Sequence, residues 1–177
     1  MPDQKDEVLM LAYKDRRDPE AMVALFRRYR RDLYGFLWHR TRSPSRAEDL
    51  VQEVFAALIE GADRYRPTGS FKSYLYRIAA NLSSKEWRKE RRLVPLEAEP
   101  AAREPSGAAE GGGDRAKVRA ALEALEPEQR EAILLREYQG LSYEEIASTL
   151  DLPVGTVKSR IARGKLSLRA ALCAVAG

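Results

Sequence analysis

Between Thr156 and Arg169 the chain carries five basic residues and no acid. At about 100° per residue, Val154, Val157, Ile161, Leu168 and Leu172 fall on one side of a helix. Thr156, Ser159 and Arg163 fall on the other, with Lys158 and Arg160 flanking and Lys165 beyond them. Short polar side chains with an arginine suit base edges in a major groove, and flanking cations suit phosphates. A solvated basic face on an ordinary helical hairpin would show the same charge. The surroundings favour DNA. Ser142-x-x-Glu145 is a capping box that opens a short helix, Asp151-Leu152 is a tight turn, and Pro153 suits the first position of the basic helix. Capped helix, turn and longer helix make a helix-turn-helix over residues 142–172.

A second constellation lies in the first half. Tyr65, Phe71, Tyr74, Tyr76 and Trp87 are interleaved with Arg64, Arg66, Lys72, Arg77, Lys85, Arg88, Lys89, Arg91 and Arg92. Aromatic faces for bases and cations for phosphates are what unstacked DNA needs. Phe71 and Tyr74 also fall on an apolar stripe, so core is the expected place for those two. A third constellation is Asp49 and Glu53, i and i+4 on one helix face, with Gln52 beside them. The pair fits a basic partner helix, a plain solvated face, or part of a metal site. For the last, no His or third carboxylate is placed to complete it.

These groups need helices to hold them. Met22, Leu25, Phe26, Tyr29, Leu33, Phe36 and Leu37 form one stripe on one helix. Ser45-x-x-Glu48 reads as a capping box for the next, with Leu50, Val51, Val54, Phe55 and Leu58 inward and Gly61 as its stop. Residues 62–70 read as a loop. A third helix is expected from Phe71 to Arg92. In the second half, Val118, Ala121, Leu122 and Leu125 mark a helix ended by Glu126-Pro127, and residues 127–138 another, stopped by Gly140. No alternating Val/Ile-rich run suggests a strand, so the fold class is all-α.

Composition agrees. The 177 residues carry 31 Lys plus Arg against 27 Asp plus Glu, a net charge of +4. Residues 1–92 hold 20 bases and 14 acids, for +6; residues 115–177 hold 10 and 8, for +2. Between them residues 93–114, rich in Pro, Gly, Ala and Glu, hold one base and five acids, for −4. Such a stretch buries too little to offset its ordering entropy. It reads as an acidic linker between a domain at 1–92 and another at 115–177. One Cys, Cys173, excludes a disulfide framework or Cys-based zinc, and one His, His39, leaves little for metal or triad chemistry. No catalytic residue, metal or cofactor is expected. No apolar run approaches the ~18 residues of a membrane span, and the N-terminus does not read as a signal peptide. The expected location is the cytoplasm.

The quoted residues resemble a family. Leu125-Glu126-Pro127-Glu128-Gln129-Arg130, Gly140-Leu141-Ser142-Tyr143-Glu144-Glu145-Ile146-Ala147 and Pro153-Val154-Gly155-Thr156-Val157-Lys158-Ser159-Arg160 are similar to region 4 of RNA polymerase sigma factors of the extracytoplasmic-function class. LuxR-type regulators share the Glu-Ile-Ala and Thr-Val-Lys segments, but would carry a strand-containing domain upstream. The first half instead resembles sigma region 2, most closely at Glu48-Asp49-Leu50-Val51-Gln52-Glu53-Val54-Phe55.

The resemblance implies an alternative sigma factor. Asp49, Gln52 and Glu53 would grip the β′ clamp of core RNA polymerase, whose β subunit is a further partner. Tyr65, Lys72, Asn81, Lys85 and Arg88 would meet the −10 element, where the loop before the helix holds a flipped base. Thr156, Lys158, Ser159, Arg160, Arg163 and Lys165 would meet the −35 element. Promoter DNA would thus be bound both double- and single-stranded, and an anti-sigma factor fits the family. The linker acids Glu97, Glu99, Glu104, Glu110 and Asp114 would suit the polymerase's RNA exit channel, or be an inert spacer. Three positions depart from the family pattern: Tyr74 where Trp is frequent, Lys85 where an Asp follows the Asn by four, and Gly164 inside the recognition helix. A duplex-only regulator and a sigma-like adaptor that reads no promoter remain alternatives.

Overall fold

The structure, a computed structural model, describes residues 4–92 and 112–176. The chain forms two units, Met1–Val94 and Pro95–Gly177, and among the described residues all regular structure is helical.

The first unit is built on α2, Pro19–Thr41. Pro19 sits in its first turn, and the Asp18 carboxylate accepts from the Glu20 N–H at 3.0 Å. The expected stripe is its buried face: Met22, Leu25, Tyr29, Leu33, Phe36 and Leu37, continued by Arg40. Each fully buried Leu contributes roughly 1.5–3 kcal/mol of transfer free energy, which lets a helix this charged hold its place. α3, Pro44–Glu60, buries Leu50, Val51, Val54, Phe55 and Leu58 as expected. Its cap is different. Ser43, not Ser45, accepts from the Arg46 N–H at 3.3 Å, because Pro44 takes the first helical position and puts Ser45 inside the helix.

The helix expected over 71–92 is two helices, α4 (Phe71–Leu82) and α5 (Ser84–Arg92). Ser83 makes the break. Its hydroxyl turns back on the Ala79 carbonyl at 2.6 Å. The buried Arg40 then donates from Nε to Ser83 Oγ at 2.7 Å and from its terminal nitrogen to the Ala80 carbonyl at 3.2 Å. A helix absent from the sequence reading, α1 (Asp6–Arg16), completes the unit. It buries Leu9 and Met10, with acids in its first turn and Lys14 and Arg16 in its last, the order its dipole favours.

The second unit opens with α6, Gly112–Glu123. Residues 112–114 are therefore helical, not the end of a linker; Asp114 suits the positive end of the helix. The rest of the expected linker, residues 93–111, lies outside the described residues, and with it Glu97, Glu99, Glu104 and Glu110. α7, Pro127–Ile133, runs into a π-helical turn over Leu134–Tyr138, which Gly140 ends with φ +68°. Arg130 is 4% exposed and serves the end of α6. It donates to the carbonyls of Leu122 at 2.9 Å, Leu125 at 3.0 Å and Glu123 at 3.1 Å. α8, Tyr143–Leu150, has its capping box closed both ways, at 3.1 and 2.8 Å. Asp151 turns the chain with φ 54°, and α9 runs from Val154 to Ala176.

Gly164 is buried where α9 crosses α7. A Cβ there would stand 2.9 Å from Ile133 Cγ1 and 3.4 Å from Gln129. A better helix former would gain ~1 kcal/mol of propensity, but overpacking costs about 1–3 kcal/mol. We expect Gly164→Ala to lower the denaturation midpoint of the second unit and Gly164→Val to lower it further. A raised midpoint in urea for the Ala variant would contradict the close approach.

Candidate nucleic-acid interface

In the second unit α8, the Asp151 turn and α9 form the expected helix-turn-helix. Val157 and Ile161 are buried, while Lys158, Ser159 and Arg163 are exposed and Thr156 is half-buried. The Ser159 hydroxyl donates to the Thr156 carbonyl at 2.9 Å. Two expected contacts are already engaged. Arg160 pairs with Glu128 at 3.0 Å and Lys165 with Glu137 at 2.9 Å. Any contact they made with DNA would compete with these carboxylates. Sequence reasoning missed a feature beside them: the Tyr143 ring lies under Arg136 (4.7 Å) and Lys158 (5.8 Å). The only sequence signal was an aromatic directly after the capping Ser142.

In the first unit Asp49, Gln52 and Glu53 are all exposed on α3. Glu53 is not free, since Arg46 pairs with it at 2.6 Å. On α5, Lys85, Arg88, Lys89 and Arg92 are exposed within one ~100° arc, and Asn81 is exposed at the end of α4. Lys72 is half-buried in the first turn of α4.

The aromatics behave differently from the sequence reading. Tyr65 is 1% exposed, with its ring 5.2 Å from Tyr74 and 6.2 Å from Phe71. Burial pushes its phenol up to about 12, with Glu7 adding to the shift. Tyr76 is wholly buried, edge-on to Phe36 at 5.2 Å. Trp87 lies under Arg40 at 4.8 Å. These rings hold the core and offer no open face to a base in this structure. The reason is non-local: α1 clamps this corner. Lys14 donates to the Tyr65 carbonyl at 3.0 Å, Glu7 caps the Phe71 N–H at 2.8 Å, and Arg17 pairs with Asp63 at 2.7 Å.

What orients α5 is also polar. Burial pushes Arg40 down to about 9, against the opposing pull of Glu86. Burial raises the Glu86 carboxyl, but the hydrogen bond from Arg46, a backbone hydrogen bond and the charges of Arg46 and Lys85 together outweigh it and hold it below the usual carboxylate range. Among the described residues no group of three or more His, Cys, Asp or Glu side chains is placed to hold a metal ion, and no helix is long and apolar enough to cross a membrane.

A helix-turn-helix with an outward cationic face in one unit, and a basic helix in the other, are the marks of a helical DNA-binding protein. Residues 25–93 match Sigma-70 region 2 and residues 115–168 match Sigma-70 region 4. The ECF RNA polymerase sigma factor SigE of Mycolicibacterium smegmatis is 35% identical over 82% of this chain, which spans only 59% of that protein. RNA polymerase sigma factor CarQ of Myxococcus xanthus is 33% identical, covering 85% of this chain and 88% of CarQ. The ECF sigma-E factor of Escherichia coli K12 is 31% identical over 93% of each. Among solved structures, CnrH in complex with the cytosolic domain of CnrY superposes with a TM-score of 0.69 at 25% identity, covering 96% of this chain and 97% of that one. The sigma factor RpoE bound to the anti-sigma factor NepR, from Bartonella quintana, gives 0.63 at 29% identity, over 79% of this chain and 89% of that one. The chain belongs to the ECF sigma factors of the sigma-70 family.

Proposed function

We propose that this protein is an alternative sigma factor that directs core RNA polymerase to a set of promoters from the cytoplasm. The observation that carries the reading is one of exposure. Asp49 and Gln52 on α3, the α5 cations with Asn81, and Lys158, Ser159 and Arg163 on α9 all face solvent. The first unit binds polymerase and the −10 element; the second binds the −35 element as duplex. It is not an enzyme. Strand opening is driven by binding: a base leaves the stack at a cost of a few kcal/mol, and contacts to its edge offset that. An anti-sigma factor is a fitting partner, as NepR is for the Bartonella quintana sigma factor RpoE. Run-off transcription from genomic fragments, with core polymerase and with or without this protein, tests the whole reading. Discrete new transcripts are expected. Polymerase binding without new transcripts would mean an adaptor, and DNA binding without polymerase a duplex-only regulator.

Two predictions refine the DNA contacts. Arg163→Ala should cost about 1–3 kcal/mol at one base position, whereas Lys158→Ala should weaken all sequences alike and flatten the salt dependence. Fluorescence anisotropy on single-base variants of the −35 site separates them, and equal losses on every sequence for both would remove base reading by Arg163. Asn81→Ala should reduce permanganate-reactive thymines at −10 more than it reduces closed-complex binding. Opening that survived on the best promoter would remove Asn81 from the strand-opening role.

A further inference from the structure

Arg46, in the first turn of α3, touches two carboxylates with opposite surroundings. One terminal nitrogen meets Glu53 Oε1 at 2.6 Å, and its Nε meets Glu86 Oε1 at 2.8 Å. Glu53 is 46% exposed and shares α3 with Asp49. Glu86 is 24% exposed, and it stands on α5, the helix that carries Lys85, Arg88, Lys89 and Arg92. Its second oxygen, Oε2, is buried and without a hydrogen-bond partner. The guanidinium is therefore split between an outward acid and an inward one that has an unused acceptor.

We propose that Arg46 is a positioning residue that couples polymerase docking on α3 to the setting of the DNA-facing helix α5. The proposal rests on the reading of α3 as the polymerase face. A cation from a docked partner helix competes with Arg46 for Glu53. Released from Glu53, the guanidinium can bring a second N–H to the orphan Oε2 of Glu86. Parallel bonds from a planar fork to both oxygens are stronger and more directional than a single bond. The link from α3 to α5 and its cationic stripe, a single bond in the free protein, is then tightened once the acidic face is occupied. The same geometry makes Arg46 an internal competitor of the partner in the free protein.

The signs of the effects follow. Arg46→Met removes the competitor, so core polymerase should bind about two- to fivefold more tightly, the worth of an exposed ion pair. The same variant leaves Glu86 without its cation, so the holoenzyme should capture single-stranded −10 DNA about tenfold less well, as when one partner of a part-buried pair is lost. Glu86→Gln keeps the shape, leaves Arg46 wholly to Glu53, and should weaken core binding about twofold while also lowering capture. Arg46→Lys supplies one point charge for two acids and should not restore capture.

Core affinity is read by fluorescence titration of the full-length protein with core polymerase, and capture by anisotropy at saturating core. Thermal melts of each variant serve as the folding control. Shifts of core affinity in opposite directions for Arg46→Met and Glu86→Gln support the coupling, because a merely structural role would lower both. Shifts in the same direction, or capture unchanged in Arg46→Met, overturn it. Asp49→Lys, measured alongside, reports on the underlying reading: unchanged core affinity there would remove the polymerase face itself and the coupling with it.

Discussion

Reversing Asp49 and Glu53 together to Lys should abolish stable binding to core RNA polymerase. Both carboxylates are exposed on α3, a helix otherwise fixed by its buried Leu50, Val54 and Leu58. Placing two cations against a basic partner surface costs several kcal/mol, on the order of a hundredfold or more in affinity. The fold should survive, since exposed substitutions usually stay within about 0.5 kcal/mol. The two positions are unequal. Glu53 already shares its charge with Arg46, so Asp49→Lys alone should account for more of the loss than Glu53→Lys alone. Co-elution with core on size exclusion, beside circular dichroism and a melting curve, checks this. A double variant that still co-eluted at unchanged affinity would remove α3 as the polymerase face.

What the sequence made legible follows from which forces are local. The α2 stripe, the Ser142/Glu145 box and the Gly140 stop involve residues within one helix or turn, and each stands where its pattern puts it. The features that escaped are non-local. α1 fully buries only two side chains, and its polar reach to Tyr65, Asp63 and Phe71 crosses 46 to 64 residues of sequence. The break at Ser83 needs Arg40, 43 residues away, to hold it. Gly164 reads as a weak point along α9 and becomes a requirement only once Ile133 lies against it. The same division runs through the site. Residue types placed Lys158, Arg163 and Asp49 at the surface, where the structure has them. Pairing is another matter: that Arg160 and Lys165 each already hold an opposite charge is a property of neighbouring helices, and Glu53 is reached by Arg46 from two turns earlier on α3 itself. So is the burial of Tyr65, Tyr76 and Trp87, which composition alone offers equally to DNA or to core.

Replacing Arg40 by Ala should be the most disruptive single change in the first unit, in both stability and strand opening. The guanidinium is 4% exposed and lies between the rings of Trp87 (4.8 Å) and Phe36 (5.4 Å). It also supplies the donors for Ser83 Oγ and the Ala80 carbonyl at the end of α4. Truncation leaves that carbonyl buried without this donor, worth about 1–3 kcal/mol, and opens a cavity between two rings, worth about 2–5 kcal/mol. Relief from burying a charge offsets part of both. A net loss of about 3 kcal/mol is expected, a large share of the usual 5–15 kcal/mol. Arg40→Met keeps most of the volume and sheds the charge, so its loss should be nearer 1 kcal/mol. Neither variant can hold Ser83, so in both α5 loses the anchor that sets its cationic face. Promoter opening should therefore fail in both, while −35 duplex binding by the second unit persists, because no residue of that unit is touched. This separates positioning from bulk stability: Met rescues the melting temperature but not the permanganate signal. If Arg40→Met opened promoters as well as the parent, α5 would be set by Glu86 and Trp87 packing alone, and Arg40 would be no more than a buried filler.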